Sequence, residues 1–412
     1  MITLPNECLS EIFNNFGNNN SSKYRFLFSS LLVNRQWCRN VIPVLWSRSL
    51  SYIRDRRLMR IYLLSLNAEE KAPLIPLNIS LPDGPKPLFE YSSYTISIQY
   101  NDLGKGIMNW LYGPLNFTEY NKKYEESKNE IQTITYSLVK MLLRTSEKIK
   151  ELFFDNFKMD ITNSEKEFDS KIVKLLFNYK NTTITLLDLS YFKLSSEEVR
   201  ALTDILCKNN RLISLKLSDC NLDSEKVKIL AETLYKNTTL LSLNLSVNDL
   251  GFVGAKLIAE ILNKNTTITS LELSYNQFAL SEAICKNNVL TYLDISNNRL
   301  SSEGVDVLSD ALCKNTSLID LRLSGTLQDI FYKNTFCTLA EVLCKNVTLK
   351  FLDLSYNQLN YKYSKILIEA LRENSTLTHL KIYGNRLSYS ESKTLTKNFC
   401  KNNLSLSLGY YC

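Results

Sequence analysis

Side chains able to do chemistry recur in this sequence at intervals of about 28 residues, and the chemistry they offer is recognition. Asp188, Lys216, Asn244, Glu272, Asp294, Arg322, Asp353 and Lys381 form one such series, with Tyr275, Tyr292, Phe351, Tyr356 and Tyr383 close to it. Charges of both signs offer selective ion pairs, and aromatic rings beside them offer apolar anchors, a combination suited to a folded protein or a peptide. A groove for nucleic acid would be uniformly basic, so nucleic acid is not an expected partner.

Groups for catalysis are sparse. The chain of 412 residues has one histidine, His379, and it falls at an outward strand position where a surface residue is the expectation. Gly104, Lys105 and Gly106 lack the spacing of a phosphate-cradling loop. Of ten cysteines, Cys207, Cys285, Cys313, Cys344 and Cys400 each precede a Lys-Asn pair, a placement set by periodicity rather than by a metal or a disulfide framework. We therefore expect no enzyme activity of the chain itself and no cofactor. Lys and Arg total 49 against 42 acids, a net +7 spread along the chain, and Arg54, Arg56, Arg57 and Arg60 read as a solvated helix face. With neither a leader sequence nor a long apolar run, the expectation is a soluble cytoplasmic or nuclear protein without membrane contact. Asn181, Asn237, Asn265, Asn315, Asn346 and Asn374 stand in Asn-x-Ser/Thr sequons, yet they repeat with the period and read as turn residues.

The elements that must position the recognition series are written in the leucines. An apolar residue, Leu, Leu, Asn and Leu recur as Leu240, Leu243, Leu245, Asn248, Leu250, again from Ile268, Leu290, Leu349 and Leu377, and in outline from 149, 184, 212 and 318, with a partial copy near 403. This is the leucine-rich-repeat signature. Stripes such as Val199, Leu202, Leu206 and Val227, Leu230, Ala231, Leu234 predict a helix after each strand. The expected fold is α/β: a leucine-rich-repeat solenoid, a horseshoe with a parallel concave sheet and convex helices. Alternation along a strand turns Leu243 and Leu245 inward and Ser242, Asn244 and Ser246 outward, placing the charged series on the concave face.

The Asn of each motif is expected to bond backbone groups in the turn after its strand. Cys220 is an accepted substitute there, whereas Phe157, Phe192 and Thr326 predict less regular coils. The unit starting at 268 is short, which trims its helix to 281–286, and the unit starting at 318 is long, which predicts a bulge over 325–333. Tyr410 and Tyr411, or a partner, are expected to cover the last strand. Between 67 and 148 prolines at 73, 76, 82, 85 and 87 predict a loop between candidate strands 77–79 and 94–98, and Ile131, Ile134, Leu138 and Leu142 predict a helix leading into the repeats. We assign 1–48 to a helical module, 49–148 to a linker helix and irregular first coils, and 149–412 to the repeats.

The first module reads Leu4, Pro5, Leu9, Ile12, Phe13, then a polar loop, then Leu31, Leu32, Val33, Asn34, Arg35, Gln36, Trp37, then Pro43, Leu45, Trp46. Pro5 opens a helix, and three helices are expected. These pieces, in this order and ahead of leucine-rich repeats, resemble an F-box; the departures are Asn34 and a longer first loop at 18–20. The whole chain is similar in outline to F-box proteins with ribonuclease-inhibitor-like repeats. The resemblance implies a substrate receptor of an SCF-type ubiquitin ligase, non-catalytic itself, that docks on a Skp-type adaptor held by a cullin scaffold while the repeats hold a protein substrate. It also implies that Leu4, Pro5, Ile12, Leu32, Val33, Trp37 and Pro43 face or support the adaptor. The alternatives are a leucine-rich-repeat scaffold or inhibitor with no link to ubiquitin, and a GTPase-activating-like repeat protein.

Overall fold

The computed structural model describes residues 4–15, 20–154, 163–179, 183–276, 287–327, 335–388, 390–391, 393 and 405–407. Phe157, Phe278, the loop at 18–19, the short helix expected at 281–286, most of the bulge expected at 325–333, and Tyr410 and Tyr411 lie outside the described residues. The chain divides into two compact units, Met1–Asp188 and Leu189–Cys412.

The first unit opens with three helices, α1 (Asn6–Asn15), α2 (Asn20–Ser30) and α3 (Arg35–Ser47). Leu9, Phe13, Leu27 and Val41 form their core, with Phe26, Leu31, Trp37, Val44 and Leu45 packed against it. Asn34 starts α3, because its side chain accepts a hydrogen bond from the Trp37 backbone N–H at 2.8 Å. A polar seam ties α1 to α3: Gln36 Nε2 donates to the Leu4 carbonyl at 2.8 Å, and Ser10 donates to Asn40 at 3.0 Å. After α4 (Arg56–Leu64) and the single turn α5 (Ala68–Lys71) comes the proline-rich stretch. It departs from expectation. Residues 77–79 are no strand, because Pro73 and Pro76 set a 3-10 helix over Ala72–Leu77 that ends on Asn78 at φ 50°. The second candidate is displaced: Tyr91–Tyr94 is another 3-10 turn, and β1 is Ser97–Gln99.

Helices α6 (Tyr100–Tyr112), α7 (Phe117–Glu126) and α8 (Lys128–Thr145) follow. Ile131, Ile134, Leu138 and Leu142 are buried on α8, as their spacing predicts. Strand β2 (Glu151–Phe153) pairs in parallel with β1 and with β3 (Leu186–Asp188), and α9 (Asn163–Phe177) bridges β2 to β3. The arginine cluster is satisfied locally, since Arg57 pairs with Asp55 at 2.8 Å, and Arg56 and Arg60 donate to the Trp110 and Asp83 carbonyls.

The second unit is a leucine-rich-repeat solenoid. Strands β4 (Ser214–Lys216), β5 (Ser242–Asn244), β6 (Ser270–Glu272), β7 (Tyr292–Asp294), β8 (Asp320–Arg322), β9 (Phe351–Asp353), β10 (His379–Lys381) and β11 (Ser405–Ser407) pair in parallel in chain order. Its helices α10 (Ser196–Lys208), α11 (Ser224–Lys236), α12 (Gly251–Lys264), α13 (Ser302–Lys314), α14 (Thr335–Lys345) and α15 (Tyr361–Glu373) fall between strands. Caps start them where the sequence turns polar: Ser195 and Glu198 form a reciprocal box on α10, and Asp223 and Ser301 cap α11 and α13. The motif leucines are buried, from Leu215 at 0 % exposed to Leu380 at 0 %, each burial contributing roughly 1.5–3 kcal/mol.

Two asparagine ladders hold the coils together. In the first, Asn248 Nδ2 donates to the Leu217 carbonyl of the preceding coil and to Leu245, both at 2.9 Å, while its Oδ1 accepts from Cys220 and Leu222 N–H. Asn276, Asn298, Asn357 and Asn385 repeat the arrangement. Cys220 fills the position with its thiol aimed at the Leu189 carbonyl, 3.1 Å away. Thr326 was expected to disturb its coil, yet its hydroxyl donates to the Ile295 carbonyl at 2.9 Å and keeps the donor half of the ladder. The second ladder is built from sequon asparagines, which the sequence reads as turn residues. At the helix ends Asn265, Asn315, Asn346 and Asn374 accept from the N–H groups two and three residues on and donate from Nδ2 to the previous coil.

Candidate functional site

Parallel strands in register turn a periodic sequence into columns. Lys216, Asn244, Glu272, Asp294, Arg322, Asp353 and Lys381 stand side by side on β4 to β10, and two residues earlier on the same face stand Ser214, Ser242, Ser270, Tyr292, Asp320, Phe351 and His379. The columns change character at β7. Before it the earlier column is serine throughout, and from β7 onward it is aromatic or ionisable.

Arg322 is the centre of the second half. Its guanidinium lies over the Tyr292 ring at 4.9 Å and the Phe351 ring at 5.3 Å, and it pairs with Asp320 on the same strand at 3.4 Å. Lys381 also stands over Phe351, at 5.2 Å, and His379 stacks beside that ring at 6.1 Å. Burial pushes the Tyr292 phenol well above the usual tyrosine range, and the nearby Asp294, Glu272 and Asp320 carboxylates add to it, outweighing Arg322. Burial likewise raises Asp320 against the pull of Arg322.

Several expected contact residues spend part of their capacity internally. Asn244 donates to Glu272 at 2.7 Å. Asn244, Asp294 and Asp353 each accept the backbone N–H two residues on, at 2.9 Å. Asp353 and Asp188 are buried, so neither presents a surface charge. Asp320 was missed in the sequence, although a residue two before Arg322 must share its face.

Beyond the strands, Val247, Tyr275, Asn297, Tyr356, Gly325 and Gly384 take equivalent places in the turn, all with φ between 56° and 67°. Glycine is the residue that fits this conformation, and a side chain there costs about 1–2 kcal/mol. Tyr275 and Tyr356 nonetheless occupy it and stay exposed, Tyr275 at 56 %. Tyr356 meets Tyr383 edge to face at 5.2 Å, and Gly384 leaves room for the Tyr356 ring where a Cβ would collide with it.

The N-terminal helices present a different surface. Leu4, Ile12, Leu32 and Val33 are exposed, at 45 %, 41 %, 80 % and 56 %, and Pro5 is exposed with them. Trp37 is half-buried with its ring against Phe13 at 5.3 Å, and Pro43 is half-buried inside α3. These two support the module rather than project from it.

The family description Leucine Rich repeat matches residues 236–259, 264–279, 286–309 and 345–362. No curated protein matches the chain. Among solved structures, the leucine-rich-repeat-containing protein LegL7 of Legionella pneumophila is 20 % identical over 63 % of this chain and 83 % of its own, with a TM-score of 0.42. An internalin of Listeria monocytogenes is 17 % identical over 66 % and 71 %, with a TM-score of 0.36. The tropomodulin C-terminal domain of Caenorhabditis elegans is 15 % identical over 50 % and 92 %, with a TM-score of 0.27. Among the described residues no helix is long and apolar enough to cross a membrane. The described strands and helices from Leu189 onward thus form leucine-rich repeats, a protein-interaction architecture.

Proposed function

We propose that this chain is a non-catalytic substrate receptor: its N-terminal helices dock on a Skp-type adaptor held by a cullin scaffold, and its repeats hold a protein substrate for ubiquitin transfer. The observation that carries the reading is the set of large apolar side chains left in water on a module that already has a closed core. Leu9, Phe13, Leu27 and Val41 are buried, while Leu4, Ile12, Leu32 and Val33 stand exposed on the same small unit. Four large apolar side chains exposed on so small a module support a partner surface there. The alternating charge and aromatic rings of the strand face favour a protein over a nucleic acid or a membrane as the second partner.

The test uses the exposed residues rather than Trp37, whose loss would open the core. Purified full-length chain is mixed with purified Skp-type adaptor and run on a sizing column with light-scattering detection. The expected result is a one-to-one complex with the native chain and none with the double variant Leu32→Asp plus Val33→Asp, which keeps the native melting curve. Absence of a complex with the native chain leaves a repeat scaffold or inhibitor as the reading, which the strand face supports without any adaptor.

A further inference from the structure

Resting on the reading of the strand face as a protein-binding surface, we propose that this face orients what it binds. An extended segment of a protein partner crosses β7 to β10 with a lysine or arginine at the β7 end and an aspartate or glutamate at the β10 end. Charge complementarity carries the inference. At the β7 end Glu272, Asp294 and Asp320 sit on three consecutive strands around the Tyr292 phenol, three carboxylates beside the single guanidinium of Arg322. Tyr275, exposed in the turn after β6, adds a ring face for a cation. At the β10 end the accessible group is cationic: Lys381 stands over Phe351 with His379 beside the ring, while the neighbouring Asp353 carboxylate is buried and engaged by the Ser355 N–H, which leaves Lys381 as the charge a partner can reach. Arg322, already paired with Asp320, separates the two ends.

The geometry sets the length of the segment. Three strand spacings of about 4.8 Å span about 14 Å, which an extended chain covers in about four residues. A bound segment therefore places its basic and acidic residues about four positions apart, and the reversed orientation brings like charges together at both ends.

The probe is a phage-displayed library of random dodecapeptides selected on the full-length chain, with the winners resynthesised and titrated by fluorescence polarisation. Enriched peptides are expected to carry one basic and one acidic residue three to five positions apart. Their affinity is expected to fall about tenfold or more with Asp294→Lys and with Lys381→Glu, and to recover in part when the peptide charge facing the altered residue is reversed. Asp294→Asn and Lys381→Gln serve as milder variants; Asn244 already makes the same backbone bond that Asp294 makes, so the former keeps its turn. No enrichment, peptides without the charge pair, or affinities unchanged in all four variants would overturn the proposal. Adaptor binding is measured on the same variants: if it persists while the charge pair fails, only this inference falls, and if it is absent the receptor reading falls separately.

Discussion

At the scale of single residues, the stability of the repeats rests on side chains that look ordinary in the sequence. Asn298 donates to the Leu273 and Ile295 carbonyls and accepts from the Asn276 N–H, all within a buried turn. Asn298→Ala strands those groups without water, and urea unfolding should show a loss of about 2 kcal/mol or more. Tyr292 provides a pH test. Its folded pKa lies above the ordinary value near 10, so above that pH the unfolded chain ionises while the folded chain does not. The folded state then holds more protons, and stability falls as pH rises past about 10. Tyr292→Phe should flatten this decline in melting temperature between about pH 9 and 11, and an unchanged slope would show that the phenol is free to ionise in place. The contact residues were legible as a series because they are periodic. The contacts of Arg322 with two rings were not, since they depend on neighbouring strands rather than on spacing, whereas the bond from the Ser355 N–H to Asp353 is local and recurs two residues after Asn244 and Asp294.

At the scale of elements, caps and turns decide where each strand and helix begins. Asn34, a departure from the F-box pattern, is the N-cap of α3. Asn34→Ala should destabilise the module by about 1 kcal/mol by removing that bond, read as a lower melting temperature of the first transition in calorimetry. Gly384 sits at φ 67° with the Tyr356 ring against its open side. Gly384→Ala should destabilise the second unit by about 1 kcal/mol or more, through strain and through displacement of that ring. The strands and helices of the repeats were readable from leucine spacing, because a buried periodic face leaves little choice of structure. The segment around Pro73 to Pro87 was not. A short apolar run beside prolines suits a 3-10 turn as well as a strand, and contacts far along the chain choose between them; Arg60, for example, donates to the Asp83 carbonyl.

At the scale of the molecule, two units carry two kinds of surface. The first leaves Leu4, Ile12, Leu32 and Val33 exposed on a helical module with its own core, and the second bears a strand face whose charges and rings follow the repeat. The proposed receptor role requires the first surface to engage an adaptor, and hydrogen exchange of the full-length chain with and without purified Skp-type adaptor measures that directly. Slowed exchange is predicted at the start of α1, around Leu4 to Ile12, and in the turn that holds Leu32 and Val33, with the repeats unchanged. Exchange that stays the same throughout the first unit, or that slows only in the repeats, would contradict the account.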